Sequence, residues 1–244
     1  MKRAWYLGLT PEEIGNRVIL IGDPDRVNRL SRLLKNPVHH PVSRGLKSVT
    51  GVSNGCRVTI AAFGMGAPIA TIVLHELADL GADKFLRIGT AMYFPPVAPG
   101  QFLISKCAIG FEGTSPAYRE MGGDIQADSG LVATLLAAAE QAGQQARTGR
   151  YATFDVFYRD MFGIDEAGKK RAEANRKMLA EKEVLAVDME TSALLAAALA
   201  LNVACATLCV GSVNALTHEK LPSAAMAEAE QLLFRIALDG LTAI

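Results

Sequence analysis

The chain of 244 residues carries 25 lysines and arginines against 25 aspartates and glutamates, so its formal net charge is zero. Such a balance gives no excess of positive charge for binding nucleic acid or an anionic membrane surface. Any site for an anion must therefore come from a local group of residues. Half of the residues are hydrophobic and a fifth are charged, which suits a globular core, and the length fits one large domain over residues 1–244.

Two kinds of sequence pattern predict the elements. A continuous apolar run predicts a buried strand at residues 17–22, and β-like stretches predict further strands at residues 57–63, 85–86, 102–109, 148–156, 184–187 and 203–211. Helical spacing of apolar residues predicts helices at residues 27–34, 69–81, 131–142, 166–183, 190–201 and 223–239. A Pro/Gly-rich segment at residues 95–100 and a polar, glycine-containing segment at residues 115–128 predict loops. Strands that alternate with helices indicate a single α/β domain with a mixed, mostly parallel central sheet flanked by helices.

The central stretch is KFLRIGTA at residues 84–91, a short strand that ends in an arginine, a glycine and a threonine. Gly89 lets backbone amides approach a ligand, Thr90 adds a donor, and Arg87 offers a planar fork for two oxygens. The stretch therefore favours an anion site. The alternative is a plain strand end with Arg87 in a structural salt bridge. We expect the strand core not to depend on the charge of Arg87.

A second candidate anion site is GDPDR at residues 22–26, between the first strand and the first helix. Pro24 suits the first helical turn, and Asp23 or Asp25 is the expected cap. Free amides at a helix start favour anions. An ordinary capped turn is the alternative, but it does not explain Arg26, because the helix dipole disfavours a cation there.

Gly64-Met65-Gly66 follows the next strand and matches half of a dinucleotide fingerprint. The third glycine is missing, and no acidic residue ends a suitable following strand, so we do not expect a nicotinamide site. The glycines instead indicate a turn that passes close to a ligand or to a neighbouring strand.

The four cysteines lie in apolar runs without a CxxC pair, and the first five residues contain no hydrophobic region of the secretory type. We expect reduced, buried cysteines of a cytoplasmic protein at Cys56, Cys107, Cys205 and Cys209. A metal pair at Cys205 and Cys209 is the alternative, but their segment is too β-like for the two to converge, so we expect no metal. Residues 192–209 are apolar, but Asn202 and a helix-to-strand change interrupt them, so we expect no membrane span.

The order of motifs resembles one known family, the hexameric nucleoside phosphorylases, and within it the uridine phosphorylases. The matching motifs are YLGLT at 6–10, GDPDRV at 22–27, SR at 43–44, ELA at 76–78 with LG at 80–81, FLRIGT at 85–90, DVFY at 155–158, DMETSA at 188–193 and THE at 217–219. They extend over nearly the whole chain. The resemblance implies the fold of that family, with inorganic phosphate as co-substrate and neither a metal nor an organic cofactor.

The resemblance also implies roles for individual residues. The phosphate ligands would be Gly22, Arg26, Arg87 and Thr90, with Arg44 reaching the phosphate of a neighbouring subunit. That contact implies a dimer-based homo-oligomer, a hexamer by resemblance. Glu190 would hold the ribose 2′ and 3′ hydroxyls while Met189 packs on the sugar, and Phe157 would lie beside the base. Tyr6 stands where relatives often carry a histidine that reaches the 5′ hydroxyl across the dimer. Without the resemblance, the alternative for Glu190 is an acid favoured by a helix N-terminus.

The departures from the family pattern concern the leaving base. Purine-specific relatives carry an aspartate shortly before THE, and residues 213–216 contain no acid. Uridine phosphorylases carry an arginine there, and a glutamine and an arginine after the FY pair; here that second segment is shortened. Ala91 and Met92 replace the usual polar end of the RIGT motif and make the base site more apolar. Arg159 and then Asn214 are our candidates for stabilising a pyrimidine anion, unless Arg159 pairs with Asp155 or Asp160.

The expected reaction is phosphorolysis of a ribonucleoside, uridine first, to free base and ribose 1-phosphate. Arg26, Arg44 and Arg87 would hold the phosphate, and Arg87, Arg159 and Asn214 would act in catalysis. Two alternatives remain: a nucleosidase that hydrolyses the same bond, and a degenerate member that binds a nucleoside without turnover.

Overall fold

A computed structural model describes residues 2–120 and 122–244. Its helices are α1 (Pro24–Ser31), α2 (Ala67–Asp79), α3 (Ser129–Gln141), α4 (Glu166–Glu181), α5 (Thr191–Leu201) and α6 (Ser223–Thr242). Its strands are β1 (Arg17–Ile21), β2 (Lys35–His39), β3 (Ser48–Ser53), β4 (Cys56–Ala62), β5 (Lys84–Tyr93), β6 (Phe102–Gly110), β7 (Ile125–Gln126), β8 (Ala146–Thr153), β9 (Val184–Asp188) and β10 (Ala204–Asn214). The predicted α/β fold class is confirmed.

All of these strands belong to one mixed sheet in the order β10-β6-β8-β9-β5-β1-β4-β3-β2, with β7 paired to β6. The longest pairings, β5 with β10 and β6 with β8, are parallel. Because β5 pairs with both β9 and β10, five strands close into a ring: β5, β10, β6, β8 and β9. The remaining strands extend the sheet outward from β5 through β1.

Helices cover both faces of the sheet. On one face α2 and α5 bury Leu74, Leu77 and Leu194, and on the other α3 and α6 bury Leu135 and Phe234. Helix α5 is apolar on all sides, which is typical of a buried helix, and eight of its residues are buried. A third, smaller cluster lies beneath α4 and contains Met92, Phe154, Met161 and Leu179.

The structure differs from the sequence prediction in the lengths and number of strands. The central strand β5 runs for ten residues instead of two, and β2, β3 and β7 were missed. Strand β2 is exposed along its whole length and contains Pro37, as is typical of an edge strand without an apolar pattern. The predicted loop at 115–128 includes β7 and a short 3-10 helix, Ser115–Ala117.

The cysteines are free, and three are buried as predicted: Cys107, Cys205 and Cys209. Cys56 is only partly buried, because β4 begins there at the rim of the sheet. Among residues 2–120 and 122–244, no helix is both long and apolar enough to cross a membrane.

Candidate active site

A cavity of about 670 Å³ lies at the carboxyl ends of β1, β5 and β9 and beside the end of β10. This is the end of a parallel sheet at which ligands usually bind. The cavity brings together nine of the predicted site residues: Gly22, Arg26, Arg87, Thr90, Ala91, Met92, Phe157, Met189 and Glu190. Four predicted residues are not in its lining: Tyr6, Arg44, Arg159 and Asn214.

Two glycines hold the backbone close to this cavity. A Cβ at Gly22 would lie 2.9 Å from the carbonyl oxygen of Gly64, so only glycine lets the two turns pass each other. A Cβ at Gly89 would lie 3.3 Å from the guanidinium of Arg87. The turn after Gly22 starts α1, where Asp23 accepts the amide hydrogen of Asp25 at 2.9 Å. Of the two predicted caps, the cap is therefore Asp23.

Arg87 is buried among acids. Its Nη2 lies 2.6 Å from Oε2 of Glu190 and its Nη1 lies 3.2 Å from Oδ2 of Asp188, while its side chain is 7% exposed. Burial lowers the pKa of Arg87, but Cys209, Asp188 and Glu190 more than offset burial and hold that pKa well above its usual value. The structure thus contradicts the expectation that the core does not depend on this charge, because removal of Arg87 would leave two buried carboxylates without their cation.

Asp188 anchors this ion-pair cluster. Its Oδ1 accepts the hydroxyl of Thr153 at 2.9 Å and the amide of Thr191 at 3.2 Å, and its Oδ2 accepts the hydroxyl of Thr191. The carboxylate is therefore held by the end of β8 and by the first turn of α5. Asp188 is the first residue of the DMETSA motif, but its sequence position gave no sign of this supporting role.

Glu190 links three elements. Its Oε1 accepts the amide of Gly66 at 2.8 Å, where α2 starts, and its Oε2 accepts Arg87. Burial raises the pKa of Glu190 while Arg87 opposes that rise. Glu190 lies just before the first turn of α5, but it makes no side-chain capping hydrogen bond there. The alternative of a simple helix-start acid therefore does not account for its contacts.

Arg26 is held by a residue far away in the chain. Its Nε lies 2.6 Å from Oε2 of Glu230 on α6, and both side chains are mostly buried. Glu230 also binds Arg29 of α1, whose pKa it raises. Within the described residues the terminal nitrogens of Arg26 form no hydrogen bond, so they remain available to a ligand.

Aromatic side chains cover another wall of the cavity. Residues Tyr158–Phe162 form a π-helix, a rare form that concentrates at functional sites. It places Phe162 5.3 Å from Phe157 between ring centroids, and both line the cavity with Tyr158. The sequence indicated Phe157 alone. Phe162 also packs on His218 of the THE motif with ring centroids 4.4 Å apart.

Arg159 does not line the cavity. Its side chain is half exposed on the π-helix, and its nearest carboxylate is Asp165 at 4.0 Å. Neither acid proposed as its partner is bound to it, since Asp155 accepts the amide of Gly113 and Asp160 pairs with Arg171. Asn214 uses its Oδ1 to accept the amides of Leu216 and Thr217, at 2.8 and 3.2 Å, and so shapes a turn.

Tyr6 and Arg44 lie together outside the cavity. The guanidinium carbon of Arg44 is 4.8 Å from the centre of the Tyr6 ring, a cation–π contact. Glu76 fixes the segment of Tyr6 by accepting its amide at 2.7 Å and that of Leu7 at 2.9 Å. The two residues predicted to act across a subunit boundary are therefore neighbours on one surface of the chain.

Several functional candidates escaped the sequence analysis: Asp188, Glu230, Phe162, Ser212 and Lys220. Glu230 is an example of a purely spatial signal, because it lies 204 residues from Arg26 along the chain. Within residues 2–120 and 122–244, no group of three His, Cys, Asp or Glu side chains is arranged to hold a metal ion.

A buried arginine–carboxylate cluster beside an aromatic wall, at the carboxyl ends of an α/β sheet, defines a site for a small anionic or polar ligand. A family model described as the phosphorylase superfamily matches residues 16–241. The chain belongs to that superfamily, and the family resemblance drawn from its motifs is confirmed.

Named relatives include both pyrimidine and purine enzymes. The uridine phosphorylase of Thermococcus kodakarensis is 32% identical over 155 residues, which cover 63% of this chain and 56% of that protein. The uridine phosphorylase of Escherichia coli is 31% identical over 157 residues, 63% of this chain and 62% of that protein. A purine nucleoside phosphorylase of DeoD type from Jannaschia sp. is 32% identical over 239 residues, 96% of this chain and 97% of that protein. The alignments with the two uridine phosphorylases thus span less than two thirds of those proteins.

Proposed function

We propose that this chain is a nucleoside phosphorylase that cleaves the N-glycosidic bond of a ribonucleoside, with pyrimidine nucleosides, uridine first, as the preferred class. Inorganic phosphate is the co-substrate, and the reaction needs neither a metal nor an organic cofactor. One observation carries the proposal: a single cavity combines two arginines, a buried carboxylate and an apolar aromatic wall. These are the three chemistries that phosphate, a ribose diol and a planar base require.

The phosphate end is supported by unused donors. Within the described chain, the buried Nε of Arg87 has no hydrogen-bond partner, and neither do the terminal nitrogens of Arg26. Gly22 and Thr90 add a close backbone approach and a hydroxyl at the same strand ends. An oxygen of the phosphate attacks C1′ while the C1′–N bond breaks and its electron pair leaves with the base. Each preorganised contact of this kind is worth roughly 3 kcal/mol of barrier, about a hundredfold in rate.

The sugar is assigned to Glu190 and Met189. An ionised carboxylate has about four lone-pair positions, and Gly66 and Arg87 occupy one each on the two oxygens of Glu190. The remaining positions suffice for the two hydroxyls of a ribose diol. Met189 lines the same cavity and supplies an adaptable apolar surface for the sugar ring.

The base is assigned to Ala91, Met92 and Phe157, which line the same cavity. Ala91 and Met92 follow Thr90 along β5, so they lie beyond the residue assigned to phosphate. No acid stands at residues 213–216 to protonate a purine ring nitrogen. A pyrimidine leaves as an anion that needs only positive charge or hydrogen-bond donors, and this asymmetry supports the pyrimidine preference. The names of the two uridine phosphorylase relatives agree with a pyrimidine preference, whereas the name of the Jannaschia relative, a purine nucleoside phosphorylase, does not.

The Tyr6–Arg44 pair supports assembly. Arg44 is exposed, does not line the cavity of its own chain, and is presented by a tight turn at positive φ. We infer that this pair completes the site of a neighbouring subunit in a dimer-based homo-oligomer, a hexamer by family resemblance.

The test follows base release from uridine, thymidine, inosine and adenosine, each with and without phosphate. We expect release that depends on phosphate and is fastest with uridine. Equal release without phosphate identifies a nucleosidase. Binding without release, measured by calorimetry, identifies a degenerate member, and a clear preference for inosine or adenosine contradicts the pyrimidine assignment. Arg159→Ala belongs in the same panel, because a variant as fast as the parent on uridine removes Arg159 from the mechanism.

A further inference from the structure

We propose that Lys220, which belongs to no motif of the sequence, contacts the leaving base and stabilises its negative charge as the glycosidic bond breaks. This inference rests on the proposed function and deepens it, because it assigns a residue to the step for which Arg159 and Asn214 are badly placed. Lys220 lines the cavity, and neither of those two residues does.

The backbone fixes the direction of Lys220. After β10 the chain turns and pairs with itself: the amide of Asn214 donates to the carbonyl of Glu219 at 2.9 Å, and the amide of Leu221 donates to that of Ser212 at 2.8 Å. Lys220 is thereby the direct antiparallel partner of Val213. Residues that face each other across such a pair project from the same side of the ribbon. Since Val213 lines the cavity, the lysine stem starts on the cavity side as well.

This hairpin stands at the base end of the cavity. Val213 is in register with Met92 of β5, two residues beyond Thr90. At a rise of about 3.3 Å per residue, Met92 lies about 7 Å along the strand from the hydroxyl assigned to phosphate. The turn is held against the aromatic wall, because His218 packs on Phe162. Lys220 therefore starts from a fixed hairpin, and its flexible stem reaches an oxygen of the base.

Charge balance distinguishes Lys220 from the other ions of the lining. Arg87 is paired with Asp188 and Glu190, Arg26 with Glu230, and Asp23 with Arg29. Within the described part of the chain, Lys220 forms no salt bridge. A lysine of the cavity lining without a carboxylate partner is suited to an anion that exists only during the reaction.

The step balances without a further reactant. Phosphate oxygen forms the bond to C1′, the C1′–N1 bond breaks, and its electron pair delocalises onto the carbonyl oxygens of uracil. The Lys220 ammonium donates a hydrogen bond to one of these oxygens. A proton from water later restores the neutral base.

The experiment compares Lys220→Met, Lys220→Arg and the parent on uridine and on 5-fluorouridine, at saturating phosphate. Fluorine makes the base more acidic and its anion more stable, so the help of a cation matters less. We expect Lys220→Met to lower kcat on uridine at least about tenfold, the effect of losing one charge-assisted hydrogen bond in the transition state. We expect a smaller loss on 5-fluorouridine, little change of KM, and retention of most activity by Lys220→Arg.

Lys177→Met is the matched control, since Lys177 is an exposed lysine of α4 outside the cavity lining. An equal loss on both nucleosides overturns the inference. A raised KM for phosphate, measured by varying phosphate at saturating uridine, also overturns it and assigns Lys220 to phosphate. A Lys220→Met variant as fast as the parent overturns the inference alone, whereas a parent without phosphate-dependent release of any base overturns the proposed function as well. Lys220 is exposed, and thermal unfolding of each variant verifies that the fold is intact.

Discussion

Arg87→Met should destabilise the protein strongly, because it removes the cation from a buried cluster. The three side chains, Arg87, Asp188 and Glu190, are 7%, 1% and 6% exposed. Removing one partner of such a pair costs about 3–5 kcal/mol. Asp188 keeps its hydrogen bonds to Thr153 and Thr191, so most of the cost falls on Glu190. We therefore expect the free energy of unfolding to fall by about 3 kcal/mol, near the lower bound of that range, and phosphate-dependent turnover to be lost.

The assay is urea unfolding at fixed protein concentration, with two companion variants. Adding Glu190→Gln to Arg87→Met removes the orphaned charge, and we expect it to recover about 1–2 kcal/mol, since residues in one ion-pair network couple by such amounts. Arg150→Met is the control, because Arg150 pairs with Asp124 while both side chains are about 30% exposed. Arg150→Met should lower the free energy of unfolding by about 1 kcal/mol or less.

The pH dependence of Arg87→Met has a definite sign. Burial raises the pKa of Glu190, and loss of Arg87 removes the main opposing effect. The folded variant therefore holds the proton of Glu190 more tightly than the unfolded chain does. Its stability should be greatest at acid pH and should fall as the pH rises through the folded-state pKa. A loss under about 1 kcal/mol at neutral pH, or no recovery in the double variant, would refute the reasoning.

Three further predictions follow from single contacts. Glu190→Gln should lower the preference for uridine over 2′-deoxyuridine, measured as a ratio of kcat/KM, about tenfold or more, because a neutral amide replaces the ionised acceptor of the 2′ hydroxyl. An unchanged ratio removes Glu190 from the sugar site. Burial lowers the pKa of His40, whose Nε2 contacts Thr50 at 3.1 Å. Neutral His40 therefore stabilises the fold above about pH 6.5, and this contribution is lost as the pH falls below that value. On acidification the parent should lose more stability against urea than His40→Gln does, and equal losses contradict this. Light scattering at micromolar concentration should show an oligomer, and Arg44→Ala should reduce turnover without unfolding the chain; a monomeric mass counts decisively against the shared site.

Strands buried on both faces were the elements that the sequence predicted best. β1 and β4 consist mainly of apolar residues because helices cover the sheet on either side, and that composition is visible without a structure. β2 and β3 gave no such signal. The residues of β2 are all exposed, and β3 consists largely of serine, threonine, valine and glycine, so pairing with a neighbour decides their conformation.

The π-helix shows a second limit of sequence reasoning. Its backbone bond from Gly163 to the carbonyl of Tyr158, at 2.9 Å, reflects a locally inserted residue that no periodicity predicts. That insertion determines which of the side chains after the FY pair face the cavity. Phe162 lines it and Arg159 does not, the reverse of what proximity in sequence to Phe157 suggested.

For Arg26 and Arg87, the sequence predicted the shared site but not the carboxylates that pair with them. Residue type and position next to glycines and hydroxyls correctly brought Arg26 and Arg87 to one cavity, because strand ends of a parallel sheet converge there. Their carboxylate partners lie 204 and 103 residues away in the chain, and nothing local indicates them. An arginine with such a partner is held in one rotamer and has its charge partly balanced before any ligand arrives. Under the proposed function, phosphate would meet donors that are already oriented, which lowers the entropy lost on binding, but it would compete with Glu190 and Glu230 for their charge. The choice between an anion site and a structural salt bridge, which the sequence left open, is therefore not exclusive: a guanidinium held in a salt bridge can also serve the proposed phosphate site.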